Sequence, residues 1–441
     1  KPELLSSNTC SPIAFPSLAR SNAPTVVASM SAGYVGPVAQ EAIVATKQVK
    51  QARTRVLHLI GSRQDEFYHD LSLLYARACE ACEELDRERY EFMFALVHLD
   101  GSWSFPAGLS EAAVAKAKRM PFCAAMARIG ALAPDVMVPH MFCVEGMTRY
   151  RSLFDLLEIP FLGNHDYTVW PSTDKATTKQ LLAANGVQVP KGDVLVKGQV
   201  EWPVSVSVPL VVKPCNEDNS RGITLVKREE DLAAAIAYAF SFDPRVVVDE
   251  YIAGRELRAA CIEEADGTLT VLPKIEYFLT DIRTSAHKLA TDQNGKLRSD
   301  AIKAAKKDGD RQCPAELSPV LHERIDAMVK EAHHVLKCRH YSLYDIRVDA
   351  NEQPYILEAA LFCSFSPLSV IPAMAQHAGR EDLKHPNLFH DFLDRAAAER
   401  KSHPTALLPA KDLDANHTAE TLTQCVSDGR SDSDFSASND S

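Results

Sequence analysis

Asp345, Arg347 and Glu358 are the residues of this 441-residue chain whose types and spacing could most directly do chemistry. They lie in Tyr344-Asp-Ile-Arg-Val-Asp349 and Tyr355-Ile-Leu-Glu-Ala-Ala360, two short runs joined by Ala350-Asn-Glu-Gln-Pro354. The pattern predicts a hairpin. Side chains alternate along a strand, so Asp345 and Arg347 share a face. If Glu358 meets that face, two carboxylates and a guanidinium converge. Such an oxygen donor set suits Mg²⁺, with Mn²⁺ as an alternative, because Mg²⁺ takes one or two carboxylates and fills its other positions with phosphate oxygens and water. A solvated hairpin would show the same alternation, so the metal reading needs phosphate-binding residues elsewhere.

Pro209-Leu-Val-Val-Lys-Pro214 supplies a candidate. It leads into Cys215-Asn-Glu-Asp-Asn-Ser-Arg-Gly222 and then Ile223–Val226. A strand ending in Lys213, a polar loop with Ser220 and Gly222, and a returning strand form a hairpin with a tip of backbone N–H groups able to wrap phosphate oxygens. Lys213 adds a compact charge at the strand end. The loop is not of the Walker type, since no G-x-x-x-x-G-K-[ST] occurs.

Elements must hold these residues in place. Arg55–Ile60, Glu91–Leu99 and Asp135–Pro139 read as strands, with helices over Leu71–Leu85 and Met147–Leu157. Strands alternating with helices predict a parallel α/β sheet over residues 54–165, of Rossmann-like kind, with ligands beyond the carboxyl ends of its strands. An α+β layer follows over residues 166–255: a helix at Asp174–Asn185, strands at Val208–Lys213, Gly222–Val226 and Val246–Tyr251, and a helix at Glu229–Ala239. Residues 256–400 carry strands Arg258–Glu263 and Thr270–Tyr277, a polar insertion at about 280–315, helix Pro319–Leu336 and the hairpin.

The order of these features resembles the ATP-grasp fold, and the chain resembles the D-alanine–D-alanine ligase family over roughly residues 54–395. The motifs that carry the resemblance are Asp174-Lys-Ala-Thr-Thr-Lys179, Val212-Lys-Pro214, Asn219-Ser-Arg-Gly222, Gly254-Arg-Glu256, Cys313-Pro-Ala-Glu-Leu317 and Ile356-Leu-Glu-Ala359. It implies a three-domain ATP-grasp architecture and an ATP-dependent carboxylate–amine ligase that passes through an acyl phosphate. Lys175 and Lys213 match the family's phosphate-binding lysines, and Lys288 its lysine on a mobile loop. Ser220 and Gly222 match the lid over the phosphates, and Glu256 the acid that holds the ribose. Asp249, Glu250, Tyr251 and Ile252 match the segment that grips adenine. Asp345 and Glu358 match two metal-binding acids. Ser369, with Ser364 nearby, matches the receiver of a substrate carboxylate, while Glu66 and Glu145 are candidates for contact with the first amino acid.

The sequence departs from the family at two places. Ala360 stands where an Asn metal ligand is usual, and the following segment, Leu361-Phe-Cys-Ser-Phe-Ser-Pro-Leu368, lacks the usual T-x-P-G. Leu343 stands where an Arg precedes the metal Asp, and Arg347 is the candidate to replace it at the tetrahedral intermediate. Three readings follow: a D-alanine–D-alanine ligase, a related ligase attaching an amino acid to a different carboxylate or to a mycosporine-like acceptor, or a nucleotide-binding protein without turnover.

A net charge of −11 excludes a dominant nucleic-acid surface. No apolar run has the length of a membrane helix. The partners implied are small-molecule amino-acid substrates and, as is common in the family, a second copy in a homodimer. The 11 cysteines are scattered and odd in number, which favours reduced thiols inside the cell. Cys79 and Cys82 read as helix packing, as does Cys363, and His333-His334 as a surface pair. His140, with Cys143 and Glu145, borders the first domain's crevice.

Residues 1–53 read as a disordered or targeting segment. Residues 1–40 hold seven Ser, six Ala and five Pro with one acid, so the expected location is the cytoplasm, or a plastid if this segment is a transit peptide. Residues 401–441 read as a disordered acidic tail. The stretch 281–311 carries eight bases and five acids and reads as a water-excluding lid.

Overall fold

The computed structural model describes residues 52–82, 85–199, 204–293, 296–298, 300–301 and 309–402. The Ser/Ala/Pro-rich segment, nearly all of the acidic tail and residues 302–308 of the polar insertion lie outside the described residues.

The first sheet has strands β1 (Thr54–Gly61), β2 (Tyr90–Val97), β3 (Trp103–Ser104) and β4 (Val136–Pro139), in the order β3-β2-β1-β4. β1 runs parallel to β2 and β4, and β3 closes the far edge antiparallel. Every residue of β1 from Val56 to Ile60 is buried. That continuous run is what a strand covered on both faces requires. At its carboxyl end Gly61 has φ +99°, and a Cβ there would fall 2.0 Å from the Val97 carbonyl oxygen. Only glycine lets the chain turn that close to β2.

Helix α1 (Glu66–Glu80) follows. Its expected start at Leu71 was late by more than a turn, because Asp65 caps the helix and accepts from the Tyr68 N–H at 2.9 Å. It ends at Glu80 rather than Leu85. The helix expected from Met147 is broken at Thr148, whose φ of −123° and ψ of −85° separate Val144–Met147 from α2 (Arg149–Leu156).

Before the second sheet lies α3 (Lys175–Ala184), whose cap Asp174 accepts from the Thr177 N–H at 2.9 Å. The second sheet contains β5 (Gly192–Val196), β6 (Leu210–Pro214), β7 (Thr224–Val226) and β8 (Arg245–Glu250) in the antiparallel order β5-β8-β6-β7. Helix α4 (Leu232–Ala239) buries Ala235, Ile236 and Ala239 in the cluster with Val212 and Val248. β5 escapes sequence reading because Gly192-Asp-Val-Leu-Val196 is an edge strand with a single fully buried residue, Leu195.

The third sheet runs β12-β11-β9-β13-β14, with β10 also paired to β9. Its strands are β9 (Arg255–Glu263), β10 (Leu269–Val271), β11 (Ile275–Tyr277), β12 (Arg311–Gln312), β13 (Tyr341–Val348) and β14 (Pro354–Ala359). The expected single strand Thr270–Tyr277 is two strands, because Pro273 between them cannot donate to a ladder. Helix α5 (Pro319–Val335) starts at its cap Ser318 and packs Leu321, Ile325, Val329 and Ala332 against this sheet. His333 belongs to that buried side, which corrects the reading of a surface pair. It is hydrogen-bonded to Ser342 Oγ at 2.9 Å, and only His334 is exposed. No helix among the described residues is long and apolar enough to cross a membrane.

Candidate active site

Two adjoining cavities occupy the space bounded by the second and third sheets, α1 and α3. The first is lined by Lys175 from α3, Lys213 and Asp249 from the second sheet, Ser220 from the β6–β7 loop, and Glu256, Asp345, Arg347 and Glu358 from the third. Glu250, Tyr251 and Ile252 line the same cavity. The second is lined by apolar residues that include Phe142, Leu343, Leu361 and Phe362, by Ser364 and Ser369, and by charged residues that include Asp218, Arg258 and Arg311. Arg283, Lys288 and Glu358 line both.

The carboxylate pair forms at the hairpin. β13 and β14 are antiparallel, and Asp345 lies directly opposite Glu358. The register slips by one residue between Asp345 and Ile346, so Leu357 is an extra residue on β14. Without that bulge Asp345 would face Leu357 and Glu358 would turn to the opposite side of the sheet.

Cations hold both acids. Arg258, opposite Asp345 on β9, bonds it with two nitrogens, Nη2 to Oδ2 at 3.1 Å and Nε to Oδ1. Burial pushes the Asp345 carboxyl up, but Arg258, with Lys288 and Arg283, holds it well below the usual range. Lys175 Nζ lies 3.0 Å from Glu358 Oε1. Burial opposes ionisation of Glu358 too, and Lys175 and Lys288 reverse that, so its carboxyl is also lowered. Two ionised acids facing each other across one hairpin, now neutralised by side-chain cations, are a donor set that fits a divalent ion completed by phosphate oxygens. Ala360 adds no oxygen to it.

Lys213 is fixed by Asp249, with Nζ 2.7 Å from Oδ2, and Lys179 pairs with the same carboxylate. Asp249 is buried, so its side chain orients two lysines in addition to lining the cavity. Gly222 does not line the cavity. Its φ is +72°, and a Cβ would sit 2.6 Å from Pro214 Cγ and 2.8 Å from Phe242 Cδ2, so glycine is required there by packing. Asn219 and Ser220 also have positive φ, at 54° and 60°, which curls the loop tip and leaves Ser220 on the cavity wall.

Several expected roles change. Arg347 is not at the junction of the cavities. It donates to Glu256 Oε2 at 3.2 Å, the Tyr251 hydroxyl at 3.0 Å, and the Gly254 and Asp281 carbonyls at 2.9 and 2.8 Å. It braces the segment around Glu256, and Arg258 is the guanidinium beside Asp345. Arg258 was legible, because it lies two residues from Glu256 and so shares its strand face. Glu66 is exposed in the first turn of α1, 3.0 Å from Lys296 Nζ, and lines neither cavity. Glu145 pairs with Arg149 at 3.0 Å and also lines neither. Their placement follows from the capped start of α1 and the short Val144–Met147 turn, which direct both acids outward. His140 is fully buried and hydrogen-bonded to His58 at 2.8 Å, so it belongs to the first sheet's packing. Ser364 and Ser369 do meet, with hydroxyl oxygens 2.5 Å apart, and Ser366 joins them at 3.4 Å. Cys363 is buried in the second cavity's wall.

Residues 196–393 match the family described as D-ala D-ala ligase C-terminus. The chain is 28% identical over 272 residues to the D-alanine–D-alanine ligase of Geobacter sulfurreducens, covering 58% of this chain and 79% of that one. It is 25% identical over 378 residues to the Rhodococcus erythropolis enzyme of the same name, covering 79% and 98%. These matches make the chain a distant homologue of the D-alanine–D-alanine ligase family. Its fold is similar to the Bacillus anthracis D-alanine–D-alanine ligase solved in complex with ATP, with a TM-score of 0.58, 18% identity, and coverage of 79% of this chain and 99% of that one. Lys175, Lys213, Asp345 and Glu358, which the resemblance matches to the family's lysines and acids, line one cavity. The departures, Leu343 and Ala360, both fall on the wall of the other cavity.

Proposed function

We propose that this protein is an ATP-dependent acid–amino-acid ligase. The observation that carries the reading is the join between the cavities: Lys288 and Glu358 line both, so a phosphoryl group held by one can reach an acid held by the other. Lys175 and Lys213 would hold the nucleotide's phosphates, and Glu256 its ribose. Asp345 and Glu358 would hold Mg²⁺, which supplies charge neutralisation on the transferring group. Positioning and charge dominate phosphoryl transfer, and these residues provide both. The acid becomes an acyl phosphate, an amino acid's amine displaces phosphate, and an amide forms. The serine cluster would receive a substrate carboxylate. Retention of the cations and acids argues against a protein without turnover.

Within this reading we favour an acid other than D-alanine. The second cavity carries Leu343, Ala360, Leu361, Phe362 and Leu368 on its wall, and such a lining suits a substrate with more apolar surface than a methyl group. Free thiols at Cys79, Cys143, Cys215, Cys261 and Cys363 support an intracellular site, and a homodimer remains the expectation for sedimentation to check.

The test is phosphate release by the full chain with Mg²⁺ and ATP, across a panel of acids and amino acids that includes D-alanine. Release that requires both Mg²⁺ and an acid–amine pair is expected. Turnover with D-alanine alone would make the protein a D-alanine–D-alanine ligase, and no release with any pair would return it to the non-catalytic reading.

A further inference from the structure

Arg258 and Arg347 spend their guanidinium groups on protein partners, Asp345 for the first and Glu256 and its neighbours for the second. Arg283 does not. It lies against the face of Tyr277, with Cζ 3.8 Å from the ring centroid, and its Nε and Nη1 are buried without a hydrogen-bond partner. The Tyr277 hydroxyl is also buried and unpartnered. Leaving a buried donor unpaired costs free energy, and a charged one more, so three at one place call for an acceptor. Arg283 lines both cavities where they join, and Tyr277 lines the second. Burial pushes the Arg283 guanidinium below its usual range and Arg258 adds to the effect, while Asp345 and Glu256 oppose it. Asp345 and Glu256 both lie on the wall of the nucleotide cavity.

We infer that Arg283, steadied by Tyr277, binds the terminal phosphoryl group of the nucleotide at the junction. The inference rests on the ligase reading above. In the transfer the bond between Pγ and the β–γ bridging oxygen breaks and a carboxylate oxygen of the acid bonds to Pγ. ADP leaves with the electron pair and no proton moves. Arg283 is near both ends of that path and offers its donors to the equatorial oxygens. Nothing in the local sequence marks it, because Arg283 sits in an irregular segment between β11 and the short turn Ser285–His287.

The experiment compares Mg²⁺-dependent binding of ADP and of the non-hydrolysable triphosphate AMP-PNP by calorimetry, in the full chain and in Arg283→Met and Arg283→Lys. The wild type is expected to hold AMP-PNP more tightly than ADP. Arg283→Met should remove about tenfold or more of that preference, the size of one charge-assisted hydrogen bond, and leave ADP affinity within about threefold. Arg283→Lys should restore part of it. Equal losses for both nucleotides would assign Arg283 to packing and overturn the inference. So would an undiminished preference, including one accompanied by a raised KM for the acid, which would assign Arg283 to the acid's carboxylate. A wild type that prefers neither nucleotide overturns it as well. Failure of the wild type to bind ADP at all would instead sink the ligase reading on which the inference stands.

Discussion

Arg347 shows how a residue's neighbours decide its role. Its type and its place two residues from Asp345 suggested the reacting centre, yet four hydrogen bonds tie it to Glu256, Tyr251, Gly254 and Asp281. A guanidinium so engaged acts by holding Glu256 and the adjoining chain in place. Arg347→Lys keeps the charge but loses the planar fork. We expect it to weaken ATP binding about tenfold while turnover at saturating ATP stays within about threefold. The measurement is KM against kcat. A fall in kcat with KM unchanged would put Arg347 back at the reacting atoms. At this scale the sequence was most legible where residue types are scarce in alternatives: Lys175, Lys213, Asp345 and Glu358 line one cavity. It was least legible for Glu66 and Glu145, whose candidacy rested on proximity in sequence to a strand end, and for Arg283, which no periodicity announces.

At the scale of elements, β1 and the residue that follows β4 carry a buried feature with a pH consequence. His58 and His140, hydrogen-bonded at 2.8 Å, are both fully buried. Burial, with Arg87 adding to it, lowers His58 to about 3, and burial with the neighbouring His58 lowers His140 well below the ordinary value. Each ring is therefore neutral in the folded protein but takes a proton in the unfolded chain below about pH 6.5. The unfolded state then binds more protons, so stability is full above that pH and falls as pH drops below it. Denaturant titrations from pH 7.5 to 5 should show a loss approaching about 1.4 kcal/mol per pH unit for each histidine once the pH is below 6. His140→Asn should flatten that slope, and a wild type equally stable at both ends would contradict the account. The strands themselves were read from the sequence to within a few residues, since apolar runs and turn residues are local signals. β5 and the break at Pro273 were missed because an edge strand has few buried residues and a proline's effect depends on which strand its neighbour pairs with.

At the scale of the whole molecule, the cavity proposed to hold the nucleotide exists only because the second sheet, the third sheet and α3 face one another. A ligand that touches all of them must stabilise them together. Mg²⁺·ATP at about a hundred times its Kd should add about 2.7 kcal/mol and raise Tm by a few degrees in one transition. A thermal scan with no shift would contradict the assignment of this cavity to the nucleotide. EDTA should remove most of the shift, because Asp345 and Glu358 would then meet the phosphates without an intervening cation.

The sequence by itself determined the order of strands and helices, the polar loop after Lys213 and the supply of cations and carboxylates, because these depend on residue type and short-range period. Whether Asp345 and Glu358 face each other was a different matter. Strict alternation across the hairpin sets Asp345 against Leu357, and only the bulge at Leu357 brings Glu358 to the same face. The partners of Arg258 and Arg347, and the unspent donors of Arg283 and Tyr277, were likewise decided by the packing of β9, β11 and β13. A side chain's role depends on what lies within a few ångströms of it, and those neighbours come from parts of the chain that no local pattern connects.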